Sequence, residues 1–307
     1  GAITPSSSTP GTYTVTYTIA AGGGCPAFTT TASVTVTALP VINIDPVSPL
    51  CTSSSAVALS ATPAGGTWSG TGVSGSSFDP AVATVGSNTV TYTVAAAGGC
   101  PAVDEDITIT VTPAPSATIA YSSPFCTSET ASQAVTLTGS TGGTYSAAPS
   151  GLTINSSTGA ITPSSSTPGT YTVTYTIASG GGCPAFTTTA SVTIGELPTA
   201  SITPANIVNN CQVGGSTGSA VITAAGGYPT YEYSLTGGAP YQVSNSFTGL
   251  TSGNYTVTVR DANGCTTTQT FTITDPAGGT PLTATISPTD IVNNCQVGGS
   301  TGSAVIT

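Results

Sequence analysis

Polar and apolar residues alternate in four stretches of the chain, and each stretch passes through a Gly-rich turn with a cysteine into a second alternating stretch. These hairpin-like stretches occupy residues 11–37, 87–112, 169–194 and 253–274. Threonine alternates with tyrosine, valine or isoleucine, so one face is apolar and the other is covered by hydroxyl groups. A period of two residues is typical of a half-buried β-strand. The pattern predicts that Tyr13, Val15, Tyr17 and Ile19 face a core.

Two long repeats divide the chain into segments. Residues 1–34 recur at 159–192 with one difference, Ala21 against Ser179, and residues 206–223 recur at 290–307 with Asp290 in place of Asn206. Proline-rich joints separate the copies, which is typical of stacked modules with short linkers. We therefore expect a window on a longer polypeptide. Its segments are the C-terminal half of a module (1–39), three whole modules (40–113, 114–198, 199–281) and the start of a fifth (282–307).

No stretch shows helical periodicity, and each whole segment has six or seven strand-like runs. In the second whole segment these runs are Thr118–Tyr121, Ala134–Thr138, Gly143–Ser146, Leu152–Ile154, Thr170–Ile177 and Phe186–Ile194. Short strands of this number in about 80 residues, separated by Gly and Pro, predict an antiparallel immunoglobulin-like sandwich. Trp68, Tyr145 and either Tyr231 or Tyr233 are the expected large core residues of the third strands. The prediction is an all-β tandem array of such β-sandwich modules in an extended stalk.

The charge of the chain excludes some partners. Among 307 residues only 4% are charged, Arg260 is the single basic residue, and the net charge is −10. Nucleic acid is excluded as a partner because binding phosphates requires clustered Lys and Arg. No apolar run reaches the roughly 18 residues of a membrane helix, so no direct membrane insertion is expected. Without lysine to block strand edges, lateral self-association of chains stays open.

The sequence predicts neither an enzyme nor a cofactor site. A GxGxxG motif at 70–75 is not followed by a helix, and a GxSxG motif at 214–218 has no histidine to activate its serine. The one acidic cluster, Asp104, Glu105 and Asp106, is a weak candidate for Ca²⁺, which takes six to eight oxygen ligands. Consecutive strand residues point to opposite faces. We therefore interpret the cluster as a solvated turn before the last strand.

Eight cysteines, at positions 25, 51, 100, 126, 183, 211, 265 and 295, are spread through the chain. With no histidine and no CxxC pair, zinc is disfavoured, and disulfides in an oxidising, extracytoplasmic location are expected. Pairing within segments gives Cys51–Cys100, Cys126–Cys183 and Cys211–Cys265. It leaves Cys25 and Cys295 with partners outside the window.

This pairing meets a geometric difficulty. In an immunoglobulin topology the two cysteines of one segment would lie at opposite ends of a sandwich about 25–30 Å long. Two alternatives therefore stay open. One is sequential pairing, as Cys25–Cys51, Cys100–Cys126, Cys183–Cys211 and Cys265–Cys295. The other is a set of bonds between stacked modules.

The third whole segment closely resembles the SprB repeat of giant Bacteroidetes cell-surface proteins. The resemblance lies in NNCQVGGSTGSAVITAAGGYPTYEYSLTGG and SGNYTVTVRDANGCTTTQTFTIT, and residues 282–307 look like the start of another copy. The first two whole segments and residues 1–39 resemble the PKD-like and immunoglobulin-like domains of the same proteins. GLTINSSTGAITP followed by STPGTYTVTYTI is similar to immunoglobulin domains of bacterial adhesins.

These resemblances imply a gliding-motility-associated adhesin or filament, exported by type IX secretion to the cell surface and associated with the outer membrane. They supply no catalytic residues. The leading hypothesis is a structural stalk whose partners are the neighbouring modules of the same chain and which spaces an adhesive region from the cell. The alternative is that the modules themselves recognise glycans or a substratum.

Overall fold

The computed structural model describes residues 1–206 and 217–274, together with the backbone of two short strands at 286–288 and 304–306. Within these residues the chain is all-β, with 25 strands, no α-helix and two three-residue 3-10 helices at Pro5–Ser7 and Pro163–Ser165. None of these described helices is long or apolar enough to cross a membrane.

The chain divides into two compact units. The first comprises Gly1–Thr118, Leu137–Thr144 and Tyr175–Thr188, and the second comprises Ile119–Thr136, Tyr145–Thr174 and Thr189–Thr307. This division runs through the segment 114–198, and the five segments defined by the repeats stay a prediction.

Eleven strands lie between residues 11 and 112. They are β1 Gly11–Ile19, β2 Phe28–Val36, β3 Asn43–Ile44, β4 Leu50–Cys51, β5 Val57–Ala58, β6 Ala61–Thr62, β7 Thr67–Ser69, β8 Val73–Ser74, β9 Ser77–Phe78, β10 Gly86–Val94 and β11 Val103–Thr112.

Strands β3 to β11 form sandwich I. One sheet has the order β4-β11-β10-β7, and the other side is formed by β3-β6 and β5-β9-β8. Phe78 comes from one side, Val90, Ile109 and Val111 come from the other, and all four are buried in one core. Along β10 the buried residues alternate with threonines that face outward, as the period of two predicted. Trp68 on β7 packs against this core while partly exposed.

Strands β1 and β2 form a two-stranded antiparallel sheet in which Gly11 pairs with Val36 and Ile19 with Phe28. Tyr13 is 42% exposed and Tyr17 is 64% exposed, and the intervening Val15 is 44% exposed. The predicted core role of this face is therefore wrong here, because no described residue covers it.

Six strands follow between residues 117 and 195. They are β12 Ala117–Ala120, β13 Phe125–Cys126, β14 Thr136–Gly139, β15 Thr144–Ala148, β16 Gly169–Ile177 and β17 Phe186–Gly195. These strands, here called sandwich II, form the sheets β12-β14 and β13-β17-β16-β15. Strand β13 pairs in parallel with β17, where Cys126 lies opposite Gly195. The predicted strand Leu152–Ile154 is wrong, since Ile154 forms only an isolated bridge.

The remaining strands are β18 Pro198–Ala205, β19 Gly218–Gly226, β20 Glu232–Ser234, β21 Ser246–Leu250, β22 Gly253–Arg260, β23 Thr266–Ile273, β24 Ile286–Pro288 and β25 Ala304–Ile306. Strands β18 to β23 form sandwich III from the sheets β18-β19-β21 and β20-β22-β23. Ile222 on β19 and Val257, Val259 and Ile273 on the facing sheet share one core. Tyr233 is buried in that core, which settles the choice between Tyr231 and Tyr233.

Three hairpins share an immunoglobulin-like device at the start of their first strand. The Tyr13 hydroxyl donates to Thr9 O at 2.8 Å, Tyr171 donates to Thr167 O at 2.6 Å, and Tyr255 donates to Thr251 O at 2.9 Å. In sandwich I, Asn88 takes this place, and its Nδ2 donates to Thr84 O at 2.7 Å. A tyrosine bonded to the backbone four residues upstream is the tyrosine corner of immunoglobulin-like sandwiches. The chain is a tandem array of such sandwiches.

Candidate functional site

Two disulfides join successive sandwiches. Cys51 of sandwich I is bonded to Cys183 of sandwich II, and Cys126 of sandwich II is bonded to Cys265 of sandwich III. Each bond lies within one of the two compact units. The predicted pairings Cys51–Cys100, Cys126–Cys183 and Cys211–Cys265 are therefore wrong. Bonds between stacked modules, one of the alternatives left open, are what the structure contains.

The physical reason is the position of the cysteines along one strand. Cys51 lies beside Thr112, the last residue of β11. Cys100 lies in the turn that precedes Val103, the first residue of that strand. A strand of this length extends over roughly 30 Å, while the Cα atoms of a disulfide lie about 4.4–6.8 Å apart. Cys51 and Cys100 therefore cannot be bonded within one sandwich.

In the first joint, a tight turn packs against the neighbouring sandwich. The backbones of Gly180 and Cys183 exchange hydrogen bonds, at 3.1 and 2.9 Å, around Gly181 and Gly182. Both glycines have positive φ, 57° and 83°, as a two-residue hairpin turn of type I′ requires. A Cβ on Gly182 would lie 2.2 Å from Pro49 O. Glycine is therefore required for both the turn and its close approach to sandwich I.

The partner side of the first joint is the short parallel strand β4. The Thr52 N–H donates to Thr112 O at 2.9 Å, which continues the pairing of β4 with β11 beyond Cys51. Cys183 Sγ lies 3.7 Å from the same Thr112 O and 3.5 Å from Pro113 O. Cys51 is fully buried and Cys183 is 7% exposed. The bond is therefore largely shielded from solvent reductants.

The second joint has the same plan with a different turn. The Thr127 N–H donates to Gly195 O at 3.1 Å, so β13 pairs with β17 as β4 does with β11. A Cβ on Gly195 would lie 2.8 Å from Cys265 Sγ, and Cys265 is fully buried. In both joints, a cysteine at the end of a parallel edge strand meets a cysteine from the hairpin turn of the next sandwich.

Asp261 organises the turn that carries Cys265, and sequence reasoning missed this role. Its Oδ1 accepts hydrogen bonds from the N–H groups of Asn263 and Cys265, at 3.0 and 2.9 Å, and its Oδ2 accepts one from Tyr228 N at 2.8 Å. The residue is only 4% exposed. A buried carboxylate is tolerated because three backbone donors satisfy it. An aspartate two residues before Asn-Gly was the available sequence signal.

The single arginine does not pair with Asp261. Arg260 forms an ion pair with Glu232, the residue opposite it on β20, and Nε donates to Oε2 at 3.1 Å. Its guanidinium carbon lies 4.0 Å from the centre of the Tyr241 ring. The hydrogen bond to Glu232 raises the pKa of Arg260 above its ordinary value. The pair links β20 to β22 at the surface of sandwich III.

The described cysteines outside these bonds are Cys25, which is exposed, and Cys100, which is partly exposed. Each follows a two-glycine turn like the one before Cys183. Cys211 and Cys295 lie outside the described residues. The expectation that Cys25 and Cys295 have partners outside the window stays a prediction.

The acidic cluster lies in strand β11 and not in a turn. Asp104, Glu105 and Asp106 pair with Thr93, Tyr92 and Thr91 of β10, and all three are exposed. Successive side chains therefore point to opposite faces of the sheet. Among the described residues, no group of three or more His, Cys, Asp or Glu side chains has the arrangement of a metal site.

A cleft of about 560 Å³ in sandwich I is lined by Trp68, Tyr92, Gly65, Gly66 and neighbouring residues. The ring centres of Trp68 and Tyr92 are 4.6 Å apart.

In the second unit, the Tyr121 hydroxyl donates to Gly159 O at 2.7 Å. Burial, and to a lesser extent the neighbouring Tyr145, raise the pKa of Tyr121 above its ordinary value of 10.0.

No protein-family model matches the chain, and no curated protein matches it by sequence. Among solved structures, it is similar to Sidekick-1 immunoglobulin domains 1–5, with 14% identity over 89% of this chain and 67% of that one and a TM-score of 0.33. It is also similar to a variant of titin domains I67–I69, with 11% identity over 77% of this chain and 99% of that one and a TM-score of 0.36. Drosophila OTK extracellular domains 3–5 have 12% identity over 77% and 99% of the two chains and a TM-score of 0.30. At these low scores the likeness carries no further conclusion.

Proposed function

We propose that the chain is an extracellular structural stalk of a large surface adhesin or filament, which spaces an adhesive region from the cell and supports attachment. The observation that carries this proposal is that each disulfide joins two successive sandwiches. A bond within one sandwich would protect that sandwich alone. A bond across a joint transmits tension from one sandwich to the next.

The two disulfides provide three covalent routes from Cys51 to Cys265 besides the direct chain. Two of them cross one bond each and follow the chain, either from Cys51 to Cys126 or from Cys183 to Cys265. The third crosses both bonds, runs backward along the chain from Cys183 to Cys126, and is the shortest. All three are far shorter than the direct chain, so the bonds limit the extension of a stretched chain, as a load-bearing spacer requires.

The bonds also supply stability that small sandwiches lack. A domain of about 75 residues buries only about 60% of its unfolded surface, so its core alone is marginal. Each bond closes a loop of more than 130 residues, with sequence separations of 132 and 139. The chain-entropy estimate for such a loop is about 5 kcal/mol. Bonds of this kind persist outside the reducing cytoplasm, which supports an extracellular location.

The finer assignment rests on the resemblance of residues 199–281 to SprB-type repeats. It places the stalk in a gliding-motility-associated adhesin at the outer surface of a Bacteroidetes cell, exported by type IX secretion. The neighbouring modules of the same chain are then its main partners, and lateral association between chains is a further one.

Electron microscopy of the oxidised chain tests the stalk proposal. We expect a narrow distribution of end-to-end distances that broadens in the variant Cys51→Ser/Cys183→Ser/Cys126→Ser/Cys265→Ser, because its joints lose their covalent bonds. The matched control is Cys25→Ser/Cys100→Ser, which removes only unbonded cysteines and should leave the distribution unchanged. An equally broad distribution in all three proteins would contradict a stalk held by its joints.

Glycan recognition is the second candidate function, and the cleft beside Trp68 favours it. An aromatic wall and nearby backbone polar groups are features of small-molecule sites. Binding of the oxidised chain to a glycan array, abolished by Trp68→Phe with both bonds intact, would support a binding module. The absence of any array signal from the native chain would leave the stalk proposal in place.

A further inference from the structure

The environment of the unbonded Cys100 matches that of the bonded Cys183. Cys100 Sγ lies 3.7 Å from Thr37 O, and Cys183 Sγ lies 3.7 Å from Thr112 O. Thr112 is the last residue of β11, and Thr37 directly follows Val36, the last residue of β2. The turns also correspond, since a Cβ on Gly98 would lie 3.6 Å from the Thr37 hydroxyl oxygen, and one on Gly181 would contact the Thr112 hydroxyl. The hairpin β1–β2 and sandwich I therefore meet as sandwiches I and II do.

One component of the two bonded joints is missing at Cys100. In those joints a Leu-Cys or Phe-Cys strand pairs in parallel with the outer edge of the hairpin, at Thr112 or Gly195. Its following N–H donates to that residue's carbonyl oxygen. In the described residues, β2 pairs with β1 alone. Thr37 O has no backbone donor there, and Cys100 has no cysteine beside it.

The exposed apolar face of β1 indicates which kind of segment is missing at this joint. The same nine residues, GTYTVTYTI, form β1 and β16. Tyr13 and Val15 are 42% and 44% exposed, while their equivalents Tyr171 and Val173 are 3% and 0% exposed. Since the sequences are identical, the difference comes from what packs on the strand. In sandwich II the preceding strands β12 to β15 complete the fold.

We propose that β1, β2 and Cys100 form an acceptor site for the N-terminal half of an immunoglobulin-like sandwich, of the kind formed by residues 114–158. Its hydrophobic-Cys strand pairs in parallel with Val36 and Thr37, its apolar residues cover the face of β1, and its cysteine forms a disulfide with Cys100. This inference does not depend on the stalk proposal, because it follows from the repeated geometry of the joints.

The covalent step is a thiol–disulfide exchange with a small disulfide such as oxidised glutathione. The Cys100 thiolate attacks one sulfur of the reagent and releases one glutathione thiolate, which leaves Cys100 as a mixed disulfide. The thiolate of the incoming cysteine then attacks the Cys100 sulfur and releases the second glutathione. Two thiols are oxidised, one glutathione disulfide is reduced to two thiols, and the two protons lost by the cysteines end on the glutathione thiolates.

The test uses the full chain with a second copy of residues 114–158 fused ahead of Gly1. This fusion reproduces the order of segments in sandwich II, because residues 1–34 match 159–192 apart from one position. After oxidation in glutathione buffer, peptic digestion without reduction and mass spectrometry identify the bonds. We expect the cysteine of the fused copy to be linked to Cys100, while Cys25 stays free and reacts with maleimide.

A matched variant separates docking from the bond. In this variant the added cysteine of the fusion is replaced by serine, and Cys100 should stay reactive toward maleimide. Hydroxyl-radical footprinting should show Tyr17 protected several-fold relative to the unfused chain, in which Tyr17 is 64% exposed. Two results would overturn the proposal. One is Cys100 labelling as readily as Cys25 in a cysteine-containing fusion with Cys51–Cys183 and Cys126–Cys265 intact. The other is unchanged modification of Tyr17 in the serine variant.

Discussion

Removing the disulfides singly and together should change the mechanical length of the chain in a non-additive way. Cys51 and Cys265 are separated by about 214 residues, which extend to roughly 770 Å at 3.6 Å per residue. With both bonds present, the shortest covalent route crosses both of them and contains about 57 residues, between Cys126 and Cys183, which extend to roughly 205 Å. Fully stretched, the oxidised chain should therefore be about 565 Å shorter than the reduced chain.

A chain that lacks one bond should stretch only a little further than the native chain. Cys51→Ser/Cys183→Ser leaves the route from Cys51 to Cys126, which contains about 75 residues and is roughly 65 Å longer than the shortest route. Cys126→Ser/Cys265→Ser leaves the route from Cys183 to Cys265, which contains about 82 residues and is roughly 90 Å longer. Removing both pairs should restore the full gain of about 565 Å. Each bond thus acts as a reserve for the other.

Pulling single molecules by their ends in an optical trap, with and without a reducing agent, measures these contour lengths. The control is Cys25→Ser/Cys100→Ser, which should behave as the native chain does. If the bonds instead lay within segments, each of the two variants would break two of them and add about 105 to 110 residues, or roughly 380 to 400 Å. A gain of that size from either variant alone would refute bonds across the joints.

Three other substitutions test individual contacts. Tyr171→Phe removes a buried hydroxyl bonded to backbone at 2.6 Å and should lower the free energy of unfolding by about 1 kcal/mol in urea; the sequence-matched Tyr13→Phe, on an exposed strand, should cost less. Gly182→Ala puts a Cβ 2.2 Å from the carbonyl oxygen of Pro49 across the first joint, so the Cys51–Cys183 bond should be absent from mass spectra of this variant. The control Gly99→Ala has open space around the new Cβ and should leave all bonds unchanged. The pKa of Tyr121 is raised in the folded state, so the contribution of this tyrosine to the free energy of unfolding is complete below pH 10 and is lost as the pH rises further. In calorimetric scans, Tyr121→Phe should therefore lose less stability at alkaline pH than the native chain does.

The long strands could be predicted from the sequence because alternation over eight or more residues is a strong signal. Runs predicted at Thr170–Ile177 and Phe186–Ile194 correspond closely to Gly169–Ile177 and Phe186–Gly195. The two-residue strand Phe125–Cys126 could not be predicted, since two residues carry no periodicity. That strand sets the place of Cys126, so the disulfide pattern was beyond the sequence alone.

Burial also depended on context that the local pattern does not contain. Tyr13 and Tyr171 occupy identical sequences, yet one is exposed and the other buried, because packing partners and not local sequence decide burial. The interpretation of the acidic residues 104–106 as a turn rests on the opposite directions of consecutive side chains in a strand. In the structure, pairing of β11 with β10 keeps them in the sheet, although Asp and Glu are depleted in strands.

Disulfide mapping of the native, unreduced protein is the most direct test of bonds across the joints. Pepsin at acid pH suits this measurement, because thiolates that would exchange bonds are protonated and because the single arginine makes trypsin ineffective. We expect linked peptides that contain Cys51 with Cys183 and Cys126 with Cys265. Peptides that link Cys51 with Cys100, or Cys126 with Cys183, would contradict it.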